Sequence, residues 1–189
     1  MISDTVLSIG ETVALGDSDL GNERAVRLLY QRRSQQMFGF ARRLGLADED
    51  ASDAVQETML RLWRELESGR ELVDPDAWAF RVLYRLAIDD HRLRGLARGL
   101  AERLRAPRPP GDLVRFEEDP ARRIEVDEVW QAIDRLPERQ RAVLYLRFRA
   151  DLPYERIGVA LSISASAARG HAATGVASLR RRLSQEDRP

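Results

Sequence analysis

The chain has 189 residues, 43% hydrophobic and 33% charged, with a formal net charge of +0, enough for one or two small cores but not for a large enzyme cavity. It has no cysteine and only two histidines, His91 and His171, far apart in sequence; this excludes a disulfide framework or thiolate metal site and disfavours a metal enzyme. No apolar run approaches bilayer length, and the N-terminus MISDTVLSIGETVALGDSD is acidic where a secretory signal is positive, so no membrane insertion is expected and a cytoplasmic location is.

Neutrality hides segregation. Acids alone precede Arg24, the stretch from Arg92 to Arg108 is strongly basic, and Glu117 to Asp119 with Asp127 and Glu128 is acidic again. Every cationic side chain is arginine, whose planar fork suits phosphate and guanine, although a GC-rich coding bias gives the same preference. Residues 1–21 carry no sustained period and read as a tail. From Asn22, the pattern Val26, Leu29, Tyr30, Met37, Phe40, Ala41 and Leu44 predicts a long amphipathic helix that Gly45 ends.

Asp48 to Asp53 is an acid-rich start for a second helix running to about Ser68. Val55, Met59, Leu62, Trp63 and Leu66 recur there at helical spacing, while Asp53, Gln56 and Glu57 point elsewhere. A third helix starts cleanly, with Asp74 as cap and Pro75 at the first position. On it Arg81, Arg85 and Arg92 fall within roughly 40° of one another at about 100° per residue. Such a stripe on an otherwise apolar helix suits an anionic partner, or equally a surface row whose stems cover apolar neighbours. Trp78 reads as core. From Gly95 the chain changes character: Gly95, Gly99, Gly111, Pro107, Pro109 and Pro110 argue against a long helix and mark 95–125 as a mobile linker.

The second domain, 126–184, opens with Val126, Val129, Trp130, Ile133 and Leu136. Pro137 starts the next helix, which offers Val143, Leu144, Leu146 and Phe148. Asp151 and Pro153 then begin a short helix with Tyr154, Ile157 and Leu161. A turn through Ser162 and Ile163 leads to a last helix capped by Ser164, a helix-turn-helix arrangement whose second helix enters the major groove. Ala168, Ala172, Val176, Leu179 and Leu183 form its buried stripe. Its other side offers Ser166, Ala167, Gly170 and Thr174, flanked by Arg169 and His171, so few side chains can reach base edges. Arg180, Arg181 and Arg182 oppose the helix dipole, and 185–189 is a short tail. The fold class is all-α: two small helical domains joined by a flexible linker, the second containing the helix-turn-helix.

The run DAVQETMLRLW at Asp53–Trp63, with PDAWAFRVLYRLAIDDHR after it, resembles domain 2 of the extracytoplasmic-function group of bacterial sigma factors. The block IDRLPERQRAVLYLRFRADLPYERIGVALSIS resembles domain 4 of the same group, in the same order. The resemblance implies domain 2 over 22–94, with Asp53, Gln56, Glu57 and Trp63 gripping the β′ clamp of core RNA polymerase. Arg81, Arg85 and Arg92 would meet the -10 promoter element, with Arg85 where many members carry a base-associated asparagine. Domain 4, over 126–184, would bind the β flap and the -35 element through Ser164, Ser166, Arg169, Gly170, His171 and Thr174. Family members usually carry glycine, threonine and valine where this chain has Ser166, Ala167 and Ala168, and arginine where it has His171. The linker would thread a polymerase channel.

Resemblance also implies promoter DNA as a partner and regulation by an anti-sigma protein. The expected function is promoter recognition and opening, without a cofactor and without enzymatic chemistry, since no glycine-rich phosphate loop or nucleophile pairing exists. A polymerase-docking adaptor with weak DNA reading and a conventional helix-turn-helix regulator are the alternatives.

Overall fold

In the computed structural model residues 17–101 and 129–186 are described, with side chains placed for 20–90, 129–182 and 184. Helix α1 spans Asp17–Arg43, starting earlier than Asn22 because an Asp-Ser-Asp beginning suits the positive end of a helix. Its end is set by Gly45, at φ +99: the N–H of Gly45 donates to Arg42 O at 2.9 Å and that of Leu46 to Ala41 O at 3.2 Å, satisfying carbonyls the helix leaves open. Helix α2 spans Asp48–Glu67 with three acids in its first turn. Helix α3 spans Pro75–Ala101, and Asp74 caps it by accepting the Ala77 N–H at 3.0 Å.

Gly95 and Gly99 therefore do not end α3. Each costs only about 1 kcal/mol relative to alanine, and the leucines, arginines and alanines around them are strong helix formers. The expected tail at 1–16, the rest of the linker at 102–125, the expected start of the second domain at 126–128, and 187–189 lie outside the described residues. Residues 129–134 are the described part of α4. Pro137 then precedes α5, Glu138–Phe148; α6 is Tyr154–Leu161, and α7 is Ala165–Glu186. Among the described residues there is no strand.

Buried side chains from α1, α2 and α3 form one cluster with those from α4 to α7. The joint is aromatic. Phe40 of α1, fully buried, meets Phe80 edge-on at 5.7 Å and Tyr84 at 6.5 Å on one side, and Tyr145 of α5 at 5.6 Å on the other. Tyr145 had no place in the periodic pattern of α5, yet it is 4% exposed, whereas Phe148, expected inside, is 63% exposed. The reason is that Ala142 to Leu146 are all buried: α5 is walled on more than one side and has no single apolar stripe. Tyr30 is likewise 48% exposed.

Polar bridges line the same seam. The Tyr145 hydroxyl donates to Gln36 O at 3.0 Å, and the Tyr84 hydroxyl donates to Glu138 at 2.9 Å. The buried Arg43 reaches Asp134 at 2.6 Å and Trp130 O at 3.1 Å, and lies over the Trp130 ring. Arg33 donates to Ala150 O at 3.0 Å. At the start of α3, Asp76 takes Arg32 at 2.8 Å and Arg33 at 3.3 Å, and Arg156 of α6 pairs with Asp74 at 2.6 Å. The two halves are thus packed against each other rather than held apart.

Burial pushes the Tyr84 phenol up to about 12, helped by the hydrogen bond it donates to the Glu138 carboxylate, and burial pushes Tyr145 up to about 12 against the opposing charges of Arg149 and Arg43. Burial also pushes the Asp76 carboxyl upward, but the hydrogen bonds and charges of Arg32 and Arg33 outweigh it and hold the group below its usual value. A depressed carboxyl adds stability above its unfolded value, near 4, that is lost as pH falls through the lower folded value; a raised phenol adds stability below about pH 10 that is lost as pH rises through its folded value. Unfolding stability measured against pH should fall at both limits, with Asp76→Asn flattening the acid side and Tyr145→Phe the alkaline side. Phe40→Ala should cost about 3–5 kcal/mol in denaturant unfolding and weaken both halves together.

Candidate functional site

Three surfaces carry the expected site residues. On α2, Asp53 and Gln56 are exposed and Glu57 is half-exposed, opposite the buried Ala51, Val55, Met59 and Leu62. Glu57 accepts Arg61 at 2.7 Å. Trp63 is half-exposed at the border between the two faces, as a position roughly 80° from Asp53 on a helix of 100° steps should be. Sequence reasoning missed Leu60, 52% exposed, which the same steps bring between Asp53 and Gln56. Its signal was a leucine out of phase with the core stripe. An apolar centre with a charged rim is the usual composition of a protein-binding patch.

On α3, Arg85 is exposed and Arg81 half-exposed; the Arg92 side chain lies outside the described residues. Trp78 packs against the core, as expected. Arg81 borders a shallow, open depression whose other lining residues, Glu155, Gly158, Val159, Ser162, Ile163 and Ser164, all come from the helix-turn-helix.

The helix-turn-helix forms as predicted. Ser162 turns the chain at φ 54, and the Ser164 hydroxyl oxygen accepts the Ala167 N–H at 3.1 Å to cap α7. Gly158 allows the tight crossing, since a Cβ there would lie 2.7 Å from Ile163 O. Ala168, Ala172 and Leu179 are buried and Val176 partly so; the Leu183 side chain lies outside the described residues. Ser166, Ala167, Gly170 and Thr174 are exposed and His171 half-exposed. Arg169, expected beside the reading face, is engaged with its own domain: it pairs with Glu155 at 2.6 Å and lies over the Tyr154 ring. The Thr174 hydroxyl donates back to Gly170 O at 2.9 Å. Among the described residues no group of acids and histidines is placed to hold a metal ion, and no helix is long and apolar enough to cross a membrane.

The family description Sigma-70 region 2 matches residues 29–98, and Sigma-70 region 4 matches residues 132–181. The chain belongs to the sigma-70 family. It is similar to the RNA polymerase sigma factor CnrH of Cupriavidus metallidurans, 28% identical over 160 residues that cover 79% of this chain and 82% of that one. It is also similar to sigma factor NccH of Alcaligenes xylosoxydans xylosoxydans, 26% identical over 84% of this chain and 87% of that one. With these relatives it falls in the extracytoplasmic-function group.

The fold is shared with two solved structures. One is CnrH in complex with the cytosolic domain of CnrY, with TM-score 0.60, 24% identity, and coverage of 90% of this chain and 94% of that one. The other is sigma factor RpoE in complex with the anti-sigma factor NepR from Bartonella quintana, with TM-score 0.67, 18% identity, and coverage of 88% and 99%. The chain is accordingly a promoter-recognising sigma factor, and sigma factors act by binding rather than by bond chemistry. A free-standing helix-turn-helix regulator would have no need of region 2. Gly158→Val should cost about 1–3 kcal/mol through crowding of the turn, read by thermal unfolding, and should weaken duplex DNA binding with it.

Proposed function

We propose that α2 docks on the β′ clamp of core RNA polymerase through Asp53, Gln56, Glu57 and Trp63, with Leu60 at the centre of the patch. The observation that carries this is the exposure of that arc while the opposite arc of α2 is fully committed to the core. Arg81, Arg85 and Arg92 take the -10 element as it opens. Binding to unpaired bases offsets the loss of stacking, a few kcal/mol per extruded base, and arginine contacts to phosphate add salt-dependent affinity. Arg85 favours phosphate or guanine, because a guanidinium has no acceptor to offer an adenine.

Domain 4, over 126–184, binds the β flap and reads the -35 element through the exposed face of α7. Ser166, Gly170 and Thr174 lie at its centre, flanked by Ser164, Arg169 and His171, and Arg169 exchanges its exposed pair with Glu155, worth about 0–1 kcal/mol, for a contact to DNA. The segment at 102–125 joins the domains. The structural neighbours include sigma factors held by partner proteins, one of them an anti-sigma factor, and an anti-sigma protein covering these faces is the regulator we expect for this chain. The working compartment is the cytoplasm, where polymerase and promoter meet.

The test is transcription from fragmented genomic DNA by core RNA polymerase with and without the protein, mapping starts. New starts sharing two spaced sequence elements are expected; core binding without starts would reject the promoter assignments. In the same assay the double variant Asp53→Ala, Glu57→Ala should bind core roughly tenfold more weakly, a loss of about 1.4 kcal/mol. Arg85→Ala should lower the dependence of log affinity on log salt by about 1.

A further inference from the structure

We propose that α7 reads thymine by its methyl group. Ala167, Gly170 and the Thr174 methyl form an apolar arc suited to the C5-methyl that thymine presents in the major groove of the -35 element. The inference rests on the sigma-factor reading above and names the base that its -35 surface selects.

The arc lies within the Sigma-70 region 4 match and on the second helix of the helix-turn-helix, the one that enters the major groove, so duplex DNA is its ligand. The groove offers each base a different partner. Arginine or lysine holds guanine, asparagine or glutamine holds adenine, a carboxylate accepts from cytosine, and thymine alone presents a methyl for apolar contact. From Ala165 to Ala177 the helix has no lysine, asparagine, glutamine, aspartate or glutamate. Its one arginine there, Arg169, lies about 100° around the helix from Gly170, at the edge of the exposed arc, and is paired with Glu155. At about 100° per residue Ala167, Gly170, Thr174 and Arg181 fall within roughly 60° of one another, and all four are exposed. Recognition at the centre of the arc is therefore left to alanine, glycine and threonine, and the base with a matching apolar group is thymine.

Thr174 fixes the chemistry of the arc. Its hydroxyl donates to Gly170 O at 2.9 Å, which draws the oxygen in against the helix and commits the one proton it could give to a base. The methyl is left as the outer part of the side chain. Beside it Gly170 leaves a notch: a Cβ there would meet nothing within 4 Å, so a group rising from the floor of the groove has room between Ala167 and Thr174. Seven residues of helix separate those two, about 10 Å along the axis, or roughly three base steps. No long side chain at the centre holds the helix off, and its backbone can approach closely enough for methyl-to-methyl contact. Arg181, about two turns beyond Thr174 on the same face, is placed for a phosphate, a contact that sets position without carrying sequence.

The test uses holoenzyme, the full chain on core RNA polymerase, and a promoter taken from its own mapped starts. The -35 element is synthesised with thymine or with deoxyuridine, which keeps every hydrogen-bonding group of thymine and lacks only the methyl. Deoxyuridine should weaken holoenzyme binding about fourfold for each methyl that meets α7, the factor expected from burial of one group of that size. Thr174→Ser keeps the bond to Gly170 O and the acceptor oxygen and loses only the methyl. It should weaken binding about fourfold on the thymine duplex and leave binding to the deoxyuridine duplex unchanged, the coupling that a double-mutant cycle isolates. Equal affinity of the parent for the two duplexes, or mapped promoters with no thymine in the upstream element, overturns methyl reading and leaves the sigma factor standing. An equal loss in Thr174→Ser on both duplexes overturns the assignment to Thr174. Starts from no template at all overturn the sigma reading beneath it.

Discussion

The constraint on which the structure turns is the missing side chain at Gly39. Without it, the buried Tyr145 can bring its hydroxyl to Gln36 O, and its ring then reaches Phe40 at 5.6 Å. Phe40 in turn contacts Phe80 and Tyr84 of α3, so a single ring touches aromatic groups from both halves. Offset and edge-on pairs of this kind add about 0.5–1.5 kcal/mol beyond area burial. Helix α1 is thereby a shared wall: one side serves α2 and α3, the other α4 and α5. Around this centre the polar bridges fix the angle at which the halves meet, because each joins residues far apart in sequence.

That last property explains what could be read from the sequence. The helices and most of their limits were legible because their causes are local: Asp74 and Ser164 as caps, Gly45 as a stop, the buried stripe of α7, and the outward-facing Asp53, Gln56 and Glu57 on α2. The joint was not. Tyr145 sits in a run of five buried residues that has no helical period, and Phe148 was assigned inward by the same mistaken stripe. Gly95 and Gly99 looked decisive, but the helix formers around them carried α3 on to Ala101. Arg169 is exposed on α7, as its spacing predicts, but nothing near it in the chain pointed to its pair with Glu155 on the preceding helix. Pairings such as Arg43 with Asp134 or Arg156 with Asp74 leave no local signature at all.

The exclusive use of arginine now has a structural reason beside the compositional one. Arg33 reaches Asp76, Gln36 and Ala150 O; Arg43 reaches a carboxylate, a carbonyl and an indole face. A planar fork with five donors can serve several acceptors in fixed directions, which a lysine ammonium on its flexible stem does less well. The same accounting reconciles a neutral chain with nucleic-acid binding. Arg32, Arg33, Arg43, Arg156 and Arg169 are paired with carboxylates of the same chain, Arg32 and Arg169 at its surface, and Arg85, Arg180, Arg181 and Arg182 are exposed as well. Neutrality is an average over two populations of arginine with different tasks.

The modest reading face of α7 fits this division. Its exposed centre is made of serine, alanine, glycine and threonine, and each well-formed bidentate base contact that is absent forgoes about 1–3 kcal/mol of discrimination. Such a helix binds usefully only when something else holds it near its target. In a two-domain sigma factor on polymerase, the second contact is intramolecular, and tethering through a short connection supplies an effective concentration of the order of millimolar. Weak reading by each half then suffices for the pair.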